Sequence, residues 1–194
     1  KGIILFLIFT FAAHASNFNI KKISRLNNPW GSSFISNNEI IITEKSGKIK
    51  LINLINNSVT EIKHNLKILE DGQGGLLDIL YKDNTVWVSY SQDHGKFKST
   101  TSIAKGRFNK DKIFFKNIFV AKPPINSGYH FGSRLAIKEN YLFASIGERG
   151  KGMIAQDPTK HPGSVIRIYL DGKIPKDNPK FINKEKWLPE IYQI

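Results

Sequence analysis

One hairpin design recurs three times along this chain, and that recurrence restricts the fold more than any other feature. In the first copy residues 33–36 turn at Asn37-Asn38 and return through residues 39–43, and residues 47–52 continue the meander. In the second, residues 76–80 turn around Lys82-Asp83-Asn84 and return through residues 85–90, with residues 102–108 and 113–119 as outer strands. In the third, residues 134–137 turn at Lys138-Glu139-Asn140 and return through residues 141–146. These runs are rich in Ile, Val and aromatics and are bounded by turn residues, which marks them as strands. No amphipathic helical period competes with them. First strands recurring at intervals of roughly 40–60 residues predict an all-β propeller, in which one four-stranded sheet takes roughly 40–50 residues. About three such blades are expected here. Each unit opens on glycine, at Gly31, Gly74-Gly75 and Gly132, where the lack of a side chain lets inner strands crowd around a central channel.

The remaining composition narrows the class of protein. A basic start precedes an apolar run over residues 2–13, and Ala13-His14-Ala15 follows it. That order predicts a signal peptide over residues 1–15 and a periplasmic or secreted product. The run is too short for a spanning helix, which needs about 20 apolar residues, so no stable membrane insertion is expected. Residues 16–194 then form a partial β-propeller domain. The chain has no cysteine, so the exported fold must rest on its core rather than on disulfides. The formal net charge is +13, which raises nucleic acid as a partner. Most of the basic residues are lysines scattered among Asn and Ile, however, which reads as a solvated surface, and no nucleic acid is expected.

The chemistry concentrates around GYHFGSRL (residues 128–135) and IGERGKGMIAQD (residues 146–157). A histidine between glycines at the mouth of a strand can present its ring to a ligand, and a Glu-Arg pair closes the next strand. His130 and Glu148 therefore read as a general base and its orienter. Each has a structural alternative. His130 can be a loop histidine bonded to backbone, Glu148 and Arg149 a solvated pair at a strand end, and Gln73 a residue that tolerates a tight turn. Arg134 is expected to tie neighbouring blades through backbone carbonyls. His64, His94 and His161 lack the spacing of metal ligands and are left as structural or surface residues.

Taken in order, PWG (29–31), GQGGLLDI (72–79), HFGSRL (130–135), IGERG (146–150), AQD (155–157), VIRIYLDGKIPKDNP (165–179) and PEIY (189–192) resemble the N-terminal half of the soluble PQQ-dependent aldose sugar dehydrogenases. The resemblance implies a six-bladed β-propeller that oxidises aldoses at C1 to the lactone, with PQQ and calcium as cofactors and an external electron acceptor. It implies that His130 removes the proton from the anomeric hydroxyl, that Glu148 hydrogen-bonds that histidine, and that Gln73 lies at the rim of the cofactor and sugar site. Family members often carry Asp where this chain has Glu148. DGKIPKDNP reads physically as consecutive tight turns with a structural role.

The resemblance also places the family's His-Arg-Asn motif, its calcium loop and most of its PQQ ligands after PEIY. The chain is accordingly expected to be a fragment at both ends, inactive by itself, with the main cofactor-binding residues beyond Ile194. Two other functions fit a propeller of this kind. One is a non-catalytic module that binds carbohydrate or protein. The other is a metal-dependent sugar lactonase, which needs carboxylate and Asn ligands converging on a divalent ion.

Overall fold

The structure is a computed structural model that describes residues 19–179 and 187–194; the signal-peptide reading of residues 1–15 lies outside them. Thirteen strands and one short 3-10 helix, Gly152–Gln156, make up the described elements. The first sheet is an antiparallel meander of β1 (Pro29–Ser36), β2 (Glu39–Glu44), β3 (Lys48–Asn53) and β4 (Val59–His64). The second runs β5 (Leu76–Lys82), β6 (Thr85–Asp93), β7 (Ser99–Arg107) and β9 (Lys116–Val120). The third runs β10 (Gly132–Lys138), β11 (Tyr141–Ile146), β12 (Val165–Tyr169) and β13 (Ile191–Gln193). Three four-stranded meanders in sequence are three propeller blades.

The core lies between the sheets. Ile41, Ile49 and Leu51 of the first sheet pack on Leu76, Ile79 and Val88 of the second. Trp87, Ile103 and Phe119 from the opposite face of the second pack on Leu142, Ile166 and Ile168 of the third. Strand alternation explains how one sheet serves two interfaces: successive side chains of β6, such as Trp87 and Val88, point to opposite faces.

The inner strands β1, β5 and β10 share one irregularity. Each carries a register shift, between Pro29 and Ser32, Leu76 and Ile79, and Gly132 and Leu135. Within each bulge one N–H donates to a hydroxyl on the neighbouring second strand: Gly31 to Thr43 Oγ1 at 2.9 Å, Asp78 to Ser89 Oγ at 3.0 Å and Arg134 to Ser145 Oγ at 3.1 Å. Thr43 and Ser89 in turn donate to carbonyls of the next sheet's bulge, Thr43 to Leu77 O and Ser89 to Ser133 O. A bulge turns a backbone carbonyl out of its own ladder, and the hydroxyl of the preceding sheet satisfies it. The approach is close. A Cβ on Gly31 would stand 2.9 Å from Leu77 O and 2.8 Å from Asp78 Oδ1, which is why the first blade opens on glycine.

The structure departs from the expected strands in three places. Residues 113–119 are not one outer strand. β8 (Lys112–Ile113) pairs in parallel with β4 at the edge of the first sheet, while β9 starts at Lys116. The break falls where Asn65 holds both backbone groups of Phe115, accepting from its N–H at 2.8 Å and donating to its carbonyl at 3.0 Å, while the ring enters the first core. β4 was not expected because its pattern is polar, with Ile62 its one buried residue. No strand was expected over Val165–Tyr169, which forms β12, the third strand of the third sheet, with Ile191–Gln193 as its fourth.

DGKIPKDNP does form successive turns. Its Asn178 is buried, accepts from Arg167 Nε at 2.6 Å and donates to the carbonyls of Arg167 and Pro189 at 3.0 and 2.8 Å, so it ties the turns to β12 and to the segment entering β13.

Candidate active site

Gln73 lies just before β5, His130 just before β10, and Glu148 just after β11. Because Gly132 of β10 pairs with Ile146 of β11, the start of one strand and the end of the other are neighbours, and residues 18 apart in sequence meet. His130 Nδ1 and Glu148 Oε1 form a short hydrogen bond. Gln73 Oε1 accepts from the His130 backbone N–H at 2.8 Å, and its own N–H donates to Gly128 O at 2.7 Å. The three sequence-predicted residues thus form one cluster at the ends of the inner hairpin strands. Gln73 touches the histidine's backbone rather than its ring.

The cluster is open on one side. The His130 side chain is 53% exposed and that of Glu148 28%. With Nδ1 on the carboxylate, a proton held at Nδ1 leaves Nε2 as the acceptor, and Nε2 makes no hydrogen bond among the described residues. The bond to His130 holds the Glu148 carboxyl below its ordinary range, helped by the Gly150 N–H, which donates to Oε1 at 3.0 Å. The arrangement can accept a proton at Nε2 and stabilise the resulting imidazolium through the carboxylate on the other nitrogen.

Backbone packing around the cluster is tight. His130 has φ +47°, an uncommon conformation for a residue with a side chain. A Cβ on Gly147 would lie 1.9 Å from His130 O, so the segment carrying Glu148 out of β11 reaches the histidine only because residue 147 is glycine.

Arg149 is not the solvated partner that a Glu-Arg neighbour pair suggests. It is 2% exposed, donates from Nε to Tyr129 O at 3.0 Å and from Nη1 and Nη2 to Ser99 O and Oγ at 2.9 and 3.0 Å, and reaches Ser127 O through Nη2. Its guanidinium sits 3.7 Å from the centre of the Phe131 ring. Burial pulls its pKa down to about 10, so it remains charged at neutral pH. The sequence offers no signal for this beyond an arginine one position after the carboxylate.

Arg134 joins the second and third blades as expected, but through a carboxylate rather than carbonyls: Nη1 lies 3.0 Å from Asp78 Oδ1. Asp78 is 3% exposed and also accepts from Ile79 N at 3.0 Å and Leu135 N at 2.8 Å. His64, His94 and His161 have structural partners, respectively Gly47 O at 2.6 Å, Thr100 Oγ1 at 3.1 Å, and the Lys122 N–H at 2.9 Å with Glu190 at 3.5 Å. Among the described residues no group of three or more His, Cys, Asp or Glu is placed to hold a metal ion, and no helix is long and apolar enough to cross a membrane.

Three blades with an imidazole–carboxylate pair beside their inner strands define a protein of the β-propeller class. Within that class the chain belongs to the glucose/sorbosone dehydrogenase family, whose model matches residues 26–194. It is 31% identical to the aldose sugar dehydrogenase YliI of Escherichia coli K12, over 87% of this chain and 48% of that protein. It is 29% identical to quinoprotein glucose dehydrogenase B of Acinetobacter calcoaceticus, over 87% of this chain and 43% of that protein. The crystal structure of the apo-form of the soluble aldose sugar dehydrogenase of Escherichia coli superimposes with a TM-score of 0.80 at 30% identity, covering 86% of this chain and 50% of that one. The chain thus spans about half the length of the curated relatives it matches.

Proposed function

We propose that this chain supplies the proton-accepting half of an enzyme that oxidises aldose sugars at C1 to the lactone. The observation that carries this reading is the His130–Glu148 pair, bonded through Nδ1 with half of the histidine side chain exposed. Loss of a hydride, the hydrogen with its bonding electron pair, from C1 leaves an oxocarbenium unless the anomeric hydroxyl gives up its proton. His130 Nε2 accepts that proton, the general-base role that imidazole most often fills in proton transfer from a hydroxyl. Glu148 holds Nδ1–H, fixes the tautomer and offsets the positive charge that forms. Gln73 holds the backbone of His130 in place, and the N–H donors of its side-chain amide face no acceptor among the described residues, so they can bind a sugar or cofactor oxygen.

The quinoprotein relative supports PQQ as the cofactor, and PQQ when bound supplies the electron-pair acceptor for the hydride. The residues present fit one rim of such a site, an amide donor beside a half-exposed imidazole, and a strongly basic chain suits an anionic cofactor. Calcium is expected to be held by residues beyond Ile194, since the described residues place no His, Cys, Asp or Glu cluster for it, and no step here depends on it. The substrate is a small aldose, the electrons pass to an external acceptor, and export by the leader over residues 1–15 puts the reaction outside the cytoplasm.

The test is turnover of aldoses with an artificial electron acceptor by the complete enzyme, loaded with PQQ and calcium. His130→Ala is expected to lower kcat by about 10²–10⁴-fold, the usual scale of a lost general base. PQQ should still bind, as followed by its absorbance. Near-native turnover by this variant with PQQ bound would remove His130 from the mechanism.

A further inference from the structure

We propose that Arg149 is a positioning residue for His130, holding the loop that aims the imidazole at Glu148; this inference rests on the reading of His130 as the base. The loop over residues 127–131 has no regular ladder to fix it, since β10 begins only at Gly132. Contacts from neighbouring segments hold it instead. Gln73 takes the N–H of His130. Gly147 N and Arg149 N donate to Phe131 O at 3.0 Å and His130 O at 3.2 Å. Thr101 Oγ1 donates to Phe131 O at 2.8 Å, and the guanidinium of Arg149 donates to the carbonyls of Ser127 and Tyr129 and lies against the face of Phe131.

The guanidinium does what a smaller cation cannot. Its planar fork places donors in several fixed directions at once. One edge reaches the carbonyls of the His130 loop, and another reaches Ser99 O and Oγ at the start of β7. The His130 loop belongs to the entry of the third sheet and Ser99 to the second, so Arg149 fixes the histidine against a different blade. Burial of an arginine beside carbonyls alone is costly. Among the described residues no carboxylate lies within salt-bridge distance of it, although the charge of Asp71 favours it through space; four N–H···O bonds and the Phe131 face compensate for the burial.

Arg149 also follows Glu148 directly, and its φ is +60°. That left-handed residue turns the chain so that consecutive side chains go to opposite sides of the same loop. Glu148 meets the His130 ring, while Arg149 passes beneath its backbone. One dipeptide therefore sets both the position and the tautomer of one histidine.

The test reads the geometry of His130 in the complete enzyme, without turnover. Imidazole ¹⁵N-labelled protein should show a His130 Nδ1–H resonance protected from solvent by Glu148. Arg149→Lys should speed solvent exchange of that proton by about tenfold or more, with a loosened local structure, while amide protection of Ile103 and Leu142 in the core stays unchanged. Arg149→Met should do the same more strongly, and Ser99→Ala, which removes one acceptor only, should act in the same direction more weakly and keeps the fold intact if Arg149→Met does not. A wild-type resonance without protection, or unchanged exchange in Arg149→Lys and Ser99→Ala, would overturn the proposal. Failure of the catalytic reading would show separately, as retained turnover in His130→Ala with the resonance behaviour as described.

Discussion

His130 holds a φ of +47°, which a residue with a Cβ keeps only when its surroundings over-determine it. Here they do, through Gln73 on its N–H, Arg149 N on its carbonyl and Glu148 on its ring. The last of these contacts is linked to pH. The hydrogen bond from His130 lowers the native pKa of Glu148 below its ordinary value of about 4.5, so the ionised carboxylate favours the folded state. That contribution is fully present above the unfolded value and is lost as pH falls through the lower native one. Denaturation midpoints of wild type and Glu148→Gln should therefore differ near neutrality and converge in acid, whereas a gap that stayed constant with pH would show that the charge of Glu148 contributes nothing. In the complete enzyme Glu148→Gln should lose less turnover than His130→Ala, because the amide still accepts from Nδ1 but no longer offsets the imidazolium. His130 and Glu148 were legible as a pair because their motifs fall at strand ends that one hairpin brings together, and Gln73 joined them because equivalent strand ends of neighbouring blades gather at one mouth. Arg149 was not, since neighbouring Glu and Arg usually both face water and only a left-handed backbone sends them to opposite sides.

Each sheet is joined to the next by the same small device, a hydroxyl that accepts from its own inner strand and donates to the following one. Ser89 is the plainest case, accepting from Asp78 N at 3.0 Å and donating to Ser133 O at 2.6 Å with no exposure. Ser89→Ala leaves a buried donor and a buried acceptor unpaired, and the expected loss is about 1–3 kcal/mol. Urea denaturation measures it, and a loss below the scatter of the method would mean that backbone shifts or water replace both bonds. Strand identity was legible where β-branched residues dominate, as in Ile40-Ile41-Ile42 or Val86-Trp87-Val88. It was not legible in β4, with one buried residue, or across Ile113 and Phe115, where a continuous apolar run conceals a crossing from one sheet's edge to another's. The hydroxyl pattern was hidden for a different reason. Thr43, Ser89 and Ser145 are ordinary strand residues in sequence, and only the bulges opposite give them a common role.

At the scale of the molecule, the second sheet packs on the first with one face and on the third with the other, so the two cores share a single wall. Leu142 is fully buried in the third sheet and belongs to the cluster that contains Trp87 of the second. Truncating it to alanine should cost about 2–5 kcal/mol, the usual range for a leucine whose cavity cannot collapse. A strand pinned between β10 and β12 in a continuous antiparallel ladder has little room to relax. The more telling part of the result is where the loss appears. Trp87 is 4% exposed and donates from its indole to Leu170 O at 3.1 Å, at the end of the third sheet, so its fluorescence reports the join between the two blades. If the shared wall makes the blades one cooperative unit, Leu142→Ala shifts the far-ultraviolet dichroism and the Trp87 emission, read with Trp30 and Trp187 replaced by Phe, to the same lower midpoint. Midpoints that separate would show the third blade melting away from the other two, and the His130 loop, anchored to Ser99 of the second blade by Arg149, would then be the hinge between them.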